Sequence, residues 1–325
     1  MPPASISRRS LLAWLGGGAL APVLGSLGMG ASHRAGAEEA TGDAVPSGEQ
    51  RLGLALGAGG AVGLAHIQVL EVLDELGVRP AVIAGSSIGA LMGALYAGGM
   101  SGKEIRELTD ELIPANGREW LETLQKRDWR DMLRMLQPSL SDVTLFDNGE
   151  VVAFLDEFLP QNRFDKLDMP LHLVAADFHT REQVVFNEGD LLRPLLASMA
   201  LPGVFPPVSH NDRLLVDGGM VNPVPFDLLG EDSDIRIAVD VSGRRTGGED
   251  DGPAWLDGIF NTFKIMQHAI VSEKRRHLEP DIFLSPAVED VRMLEFYRSE
   301  RIFRQAAPER DRLKRELEKL LGDGG

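Results

Sequence analysis

The chain has no cysteine among its 325 residues. That absence excludes a thiolate nucleophile, any cysteine-ligated metal, and lipid attachment through a cysteine near a processing site. Basic side chains are also scarce, 33 Lys and Arg against 49 Asp and Glu, giving a formal net charge of −16. So acidic a chain disfavours nucleic acid and anionic membranes as long-range partners, and any lipid contact has to be led by apolar groups. No internal repeat and no low-complexity block interrupts the sequence. What remains, 43% hydrophobic and 25% charged residues, is ordinary globular composition and enough for one large domain with appendages.

The first forty residues read separately from that domain. Ser7-Arg8-Arg9-Ser10-Leu11-Leu12 sets two arginines directly before an apolar run that extends to about Gly30. Gly16, Gly17 and Gly18 dilute the run and Pro22 breaks it, which argues against a membrane-spanning anchor. Ala35-Gly36-Ala37 places small residues where a signal peptidase needs them. The segment 1–37 resembles a twin-arginine export signal, which predicts a periplasmic or secreted protein. Cleavage after Ala37 would remove Arg8, Arg9 and Arg34 and no acid, leaving the remainder more acidic still. Residues 38–50, polar and without periodicity, are expected to form a disordered linker.

From Arg51 the pattern becomes that of an α/β domain. Leu52 to Leu56 is a short apolar strand; a glycine loop, Gly57-Ala58-Gly59-Gly60-Ala61-Val62-Gly63, follows. A helical pattern then runs through Ile67, Leu70, Leu73 and Leu76 and stops at Gly77. Ala81 to Ala84 is a second apolar run. Strand, loop, helix and strand in so few residues specify consecutive parallel strands. Ser101-Gly102-Lys103-Glu104 has the form of a capping box and should start another helix. Residues 118–137 read as an amphipathic helix pair, packed on the core or acting as a cap. Strands are expected at 171–176, 183–186, 213–216 and 235–239. Residues 309–321 read as a charged helix, a solvated appendage following a domain that spans 51–308.

Three motifs bear on chemistry. Gly85-Ser86-Ser87-Ile88-Gly89 puts a serine at the apex of a tight strand-to-helix turn, flanked by glycines at i−2 and i+2 because nothing larger fits. Ser87 is the candidate nucleophile, placed where free N–H groups and the helix dipole favour an anion. The loop 57–63 offers several N–H groups at a helix start, suited to an oxyanion or a phosphate. As a dinucleotide fingerprint it is one residue out of register, and the acid expected at the end of the second strand is replaced by the serine turn. Asp217-Gly218-Gly219, directly after a strand, either brings a carboxylate within reach of Ser87 or is an ordinary β-turn aspartate.

Taken together these residues resemble the patatin-like phospholipases. Gly59-Gly60-Ala61-Val62-Gly63-Leu64-Ala65-His66 is similar to that family's oxyanion loop, Gly85 to Gly89 to its nucleophile elbow, and Asp217-Gly218-Gly219 to its aspartate motif. Ala197 to Pro207 is similar to a connecting stretch of bacterial members. The resemblance implies a three-layer α/β/α patatin-type fold with a mostly parallel central sheet. It also implies a Ser87–Asp217 dyad, oxyanion donors at Gly59, Gly60 and Ala61, and structural glycines at Gly85, Gly89, Gly218 and Gly219. Metal and cofactor have no part in the implied chemistry. The implied substrate is a lipid or lysophospholipid acyl ester, taken from a transient membrane or micelle surface. Val62 stands where the family often has Arg or Lys. Two other readings remain: a Ser-His-Asp hydrolase using His268 or His277, and a lipid-binding protein with little turnover. His66 reads as a packed or locally bonded side chain.

Overall fold

Alternation along the central strands explains why the molecule has two unequal cores. The computed structural model describes residues 50–113, 152, 155–243 and 254–322. Residues 1–37, read above as an export signal, nearly all of the expected linker, and residues 118–137, expected as a helix pair, lie outside the described residues. All described residues belong to the unit Gly48–Gly325. Strands β1 (Leu52–Leu56), β2 (Val82–Ser86) and β7 (Ile235–Val239) turn Leu54, Leu56, Ile83, Ile237 and Val239 to one face. There they meet the large core shared with helices α1 (Ala65–Glu75), α2 (Ile88–Ala97), α3 (Gly102–Leu112) and α4 (Leu192–Met199). The opposite face presents Ala55, Val82, Ala84 and Ala238. These short side chains let Phe226 and Leu229, from the segment Phe226–Asp232, and Val271, from helix α5 (Ala254–His277), approach closely. The result is three layers, helices on both sides of a sheet.

The sheet has eight strands. β1 pairs in parallel with β2 and β7, β2 with β3 (Leu171–Asp177), and β7 with β8 (Ile282–Leu284). Beyond β3 the pairing becomes antiparallel, to β4 (Gln183–Phe186) and β6 (Arg213–Asp217), with β5 (Val208–His210) on β6. The register holds one informative detail. Val174 pairs with Ser86 of β2 and Ala175 with Asp217 of β6, while both also pair with β4. A strand residue has only two lateral neighbours, so β2 and β6 share one edge of β3 and meet end to end. Their C-terminal residues arrive at adjacent positions.

Ser101 caps α3 with the full reciprocal box, its side chain accepting from the Glu104 amide and Glu104 reaching back to the Ser101 amide. The charged C-terminal helix is not a solvated appendage. Helix α6 runs unbroken from Ser299 to Gly322, through Pro308, and buries Ile302, Ala306, Leu313 and Leu317 in the main core. Arg310 and Lys314 both pair with Glu75 of α1. Its apolar stripe is one residue wide, so the many charges around it conceal it in sequence.

Candidate active site

Ser87 sits between β2 and α2 with φ 55° and ψ −123°, a left-handed backbone that a non-glycine residue adopts only where the surroundings enforce it. The enforcement is steric. A side chain on Gly85 would begin 2.7 Å from the Ala90 Cα, and one on Gly89 would collide with the Leu56 carbonyl at the end of β1. The turn therefore lies flat on the neighbouring strand and lifts the serine to its apex. Its N–H donates to Ser198 Oγ at 3.1 Å. Ser198 is fully buried on α4 and lies in the 197–207 stretch, yet nothing in its own pattern pointed to a bond with the serine turn.

Ser87 Oγ donates to Asp217 Oδ2 at 2.6 Å across 130 positions of sequence. The other carboxylate oxygen accepts the Gly219 N–H at 2.7 Å, and the Asp217 N–H is held by the Ala200 carbonyl at 3.0 Å. Of the two readings left open for Asp-Gly-Gly, both hold: it is a turn aspartate and it reaches the serine. Asp217 is 3% exposed. Burial raises its pKa to about 6 from an ordinary 3.8, against the opposing pull of the Ser87 and Gly219 hydrogen bonds.

The glycines mark where three turns converge. A side chain on Gly218 would collide with the Val174 carbonyl and stand 2.9 Å from Ser86 Oγ. One on Gly219 would stand 2.7 Å from Ala58 Cβ, and one on Gly63 2.7 Å from Ile88 Cγ1. The Asp217 turn, the glycine loop and the serine turn thus pack so closely that a glycine of one leaves room only for a side chain of the next.

Within the loop the amides divide into two groups. Gly57 N–H donates to Val239, Ala58 N–H to Pro223 and Ala61 N–H to the Met293 carbonyl at 2.8 Å. The expectation that Ala61 serves as an oxyanion donor is corrected by that bond, which consumes its one hydrogen. Gly59 and Gly60 N–H donate to no carbonyl among the described residues. Gly60 adopts φ +60° beside Met293, a conformation that favours glycine. Val62, fully buried, packs 3.2 Å from the position a side chain on Gly243 would take.

Among the described residues no imidazole joins this cluster. His268 is exposed and lies 3.5 Å from Ser272 Oγ, and His277 pairs with Glu273 at 3.2 Å, each within α5. His66 Nε2 bonds the Gly57 carbonyl at 2.9 Å, and burial lowers its pKa to about 4. It is therefore neutral and serves to hold the glycine loop. On the far side of the Asp217 turn, Gln267 of α5 donates from Nε2 to the Gly219 carbonyl at 3.1 Å, a contact with no signal in the sequence.

Comparison with known proteins bears on the same residues. The model of the family "Patatin-like phospholipase" matches residues 54–229, more than half of the chain. An NTE family protein of Mycobacterium tuberculosis is 34% identical over 202 residues, 62% of this chain and 52% of that protein. Lysophospholipase NTE1 of Cryptococcus neoformans is 32% identical over 222 residues, 66% of this chain and 13% of that one. The chain thus spans about half the length of the mycobacterial relative and a small part of the fungal one. Among solved structures, VipD from Legionella pneumophila aligns with TM-score 0.45 and 16% identity over 81% of this chain and 67% of its own. The glycine loop, the serine turn and Asp217-Gly218-Gly219 all fall inside the matched span, and the chain belongs to the patatin-like phospholipase family.

Proposed function

We propose that the protein hydrolyses acyl esters of lipids, of the phospholipase A or lysophospholipase type, with Ser87 as nucleophile and Asp217 as its base. The observation that carries this reading is the 2.6 Å hydrogen bond from Ser87 Oγ to Asp217 Oδ2, beside a loop whose Gly59 and Gly60 amides donate to no carbonyl among the described residues. Ser87 Oγ attacks the ester carbonyl carbon while its proton passes to Asp217, and the carbonyl π electrons move onto oxygen. Gly59 and Gly60 N–H receive that oxyanion, each such donor being worth roughly 3 kcal/mol. Collapse expels the alcohol, which takes the proton back from Asp217. Water then attacks the acyl-enzyme, giving a proton to Asp217; collapse of this second intermediate breaks the bond to Ser87 Oγ, which takes that proton back from Asp217 as the fatty acid leaves.

Burial is what makes the carboxylate serviceable. An aspartate at its usual pKa is a weak base towards an alcohol, and raising it to about 6 strengthens it while leaving it ionised at neutral pH. A lipid surface as the source of substrate accords with exposed Ile259, Ile265 and Met266 on α5, apolar groups on an otherwise acidic chain. Export through the N-terminal arginine pair belongs to the same proposal.

A fluorophosphonate ester probe tests the reading directly. Wild-type protein is expected to become covalently labelled and Ser87→Ala to stay unlabelled. Unlabelled wild type, together with no fatty acid released from a panel of defined phospholipids, lysophospholipids and neutral lipids, would leave a lipid-binding role in its place.

A further inference from the structure

Helix α5 contributes a buried polar side chain that the reaction scheme above does not use. Gln267 is 8% exposed and donates to the Gly219 carbonyl at 3.1 Å. Its Nε2 stands 2.7 Å from the point where a side chain on Gly219 would begin, and Asp217 Oδ1 stands 3.0 Å from the same point. Gln267 therefore packs against the one residue whose N–H holds the second carboxylate oxygen. Seven positions on, along the same face of the helix, Lys274 donates to Asn222 Oδ1, to Asp227 and, at 3.0 Å, to the Val224 carbonyl. Two side chains thus pin α5 to the segment that follows Asp217.

As simple filling a glutamine is a poor choice. Its Oε1 is buried with no partner among the described residues, and an orphaned acceptor of this kind destabilises the fold. Methionine would occupy similar space without that penalty. What methionine lacks is the N–H.

We propose that Gln267 is the positioning residue of Asp217, its side-chain amide clamping the Gly219 carbonyl so that the Gly219 N–H stays aimed at Oδ1 while Oδ2 faces Ser87. The inference rests on the reading of Asp217 as the base. The ionisable groups on the surrounding elements are directed elsewhere: His66 of α1 to the Gly57 carbonyl, Arg213 of β6 to Asp177, Lys274 of α5 to Asn222 and Asp227, with His268 exposed. Burial, the Ser87 hydroxyl and the Gly219 amide are the influences on the Asp217 carboxyl, so loosening that amide removes a bond that favours the charged form.

The test compares Gln267→Met and Gln267→Glu with wild type and with the exposed neighbour His268→Asn, in the full chain. Three readouts are needed: thermal melting, kcat and KM on a soluble short-chain ester across pH, and the carboxyl ¹³C titration of Asp217, assigned by its loss in Asp217→Asn. In Gln267→Met the Asp217 titration should move upward by roughly half a unit to one unit, and kcat should fall about tenfold with KM within about twofold. A buried glutamic acid stays protonated towards neutrality and can donate to the Gly219 carbonyl. Gln267→Glu should therefore retain most of kcat near neutral pH and lose it as pH rises. His268→Asn should match wild type. An unchanged Asp217 titration and kcat in Gln267→Met, with only a lower melting temperature, would reduce Gln267 to packing and overturn the inference. Should Gln267→Met fail to fold, the near-isosteric Gln267→Glu decides by its pH signature. Wild type that turns over no ester defeats the hydrolase reading, whereas the ¹³C titration still decides whether Gln267 governs Asp217.

Discussion

The two strands that deliver the site reach it by different kinds of information. β2 and the turn after it place Ser87 mainly through nearby residues, an apolar strand, two glycines that admit a close approach to β1, and a helix that begins at once, with Ser198 holding its amide from a distance. β6 places Asp217 through contacts from distant segments, namely the Ala200 carbonyl, β3, Gln267 of α5 and Ser87 itself. The serine arm is local and strained; the aspartate arm is relaxed and assembled. Damage to the first should remove chemistry at its source, and damage to the second should act through alignment and charge.

The largest effect expected on the aspartate arm comes from Asp217→Asn, which keeps the shape and removes the proposed base. Its kcat should fall by roughly 10³-fold, measured on the same ester panel. Stability should move the other way. The folded pKa of about 6 lies above the usual 3.8, so the contribution of Asp217 is fully present below 3.8 and is lost as pH rises through 6. At alkaline pH this amounts to about 3 kcal/mol, which the asparagine recovers in part. His66 acts in the opposite sense. Its pKa, lowered from 6.5 to about 4, means that its contribution is present above 6.5 and lost as pH falls towards 4. The two windows overlap and oppose. Urea titrations should therefore show Asp217→Asn more stable than wild type at alkaline pH and declining more steeply on acidification.

Gly218→Ala probes how tightly the two arms must meet. Its methyl group would enter the space of the Val174 carbonyl and crowd Ser86 Oγ, where β2 and β6 abut. A loss of about 2–4 kcal/mol in stability is expected, with kcat down roughly tenfold in whatever remains folded. Unchanged melting and activity would mean that the junction is looser than its geometry states. The smallest effect is expected from replacing His268 with asparagine and His277 with glutamine together, both exposed on α5. Ester hydrolysis should stay within about twofold of wild type. A loss comparable to that of Ser87→Ala would return the case to a Ser-His-Asp arrangement.

Legibility followed the same division. The strand from Leu52, the serine turn, the helix stopping at Gly77 and the capping box at Ser101 rest on periodicity and turn chemistry within a few residues, and the structure has each of them. The short strands β5 and β8 were not legible, because three residues offer no period to read. Nor was the buried stripe of α6, which charges outnumber. Ala61 shows the limit at the level of one atom. Its place in the loop matched the other donors, and only the arrival of Met293, more than two hundred residues later, commits its N–H elsewhere.

By itself the sequence determined which residue types could do chemistry and which could not: no thiol, a serine whose flanking glycines already encode a strained turn, and an aspartate with glycines behind it. Tertiary structure alone decided that the strands leading to this serine and this aspartate share one edge of β3, that burial makes the aspartate a stronger base, and which amides stay free to meet an anion. The reason is physical. Backbone strain and helix starts are set by adjacent residues, whereas desolvation and hydrogen-bond competition depend on whatever the rest of the chain brings to the same point.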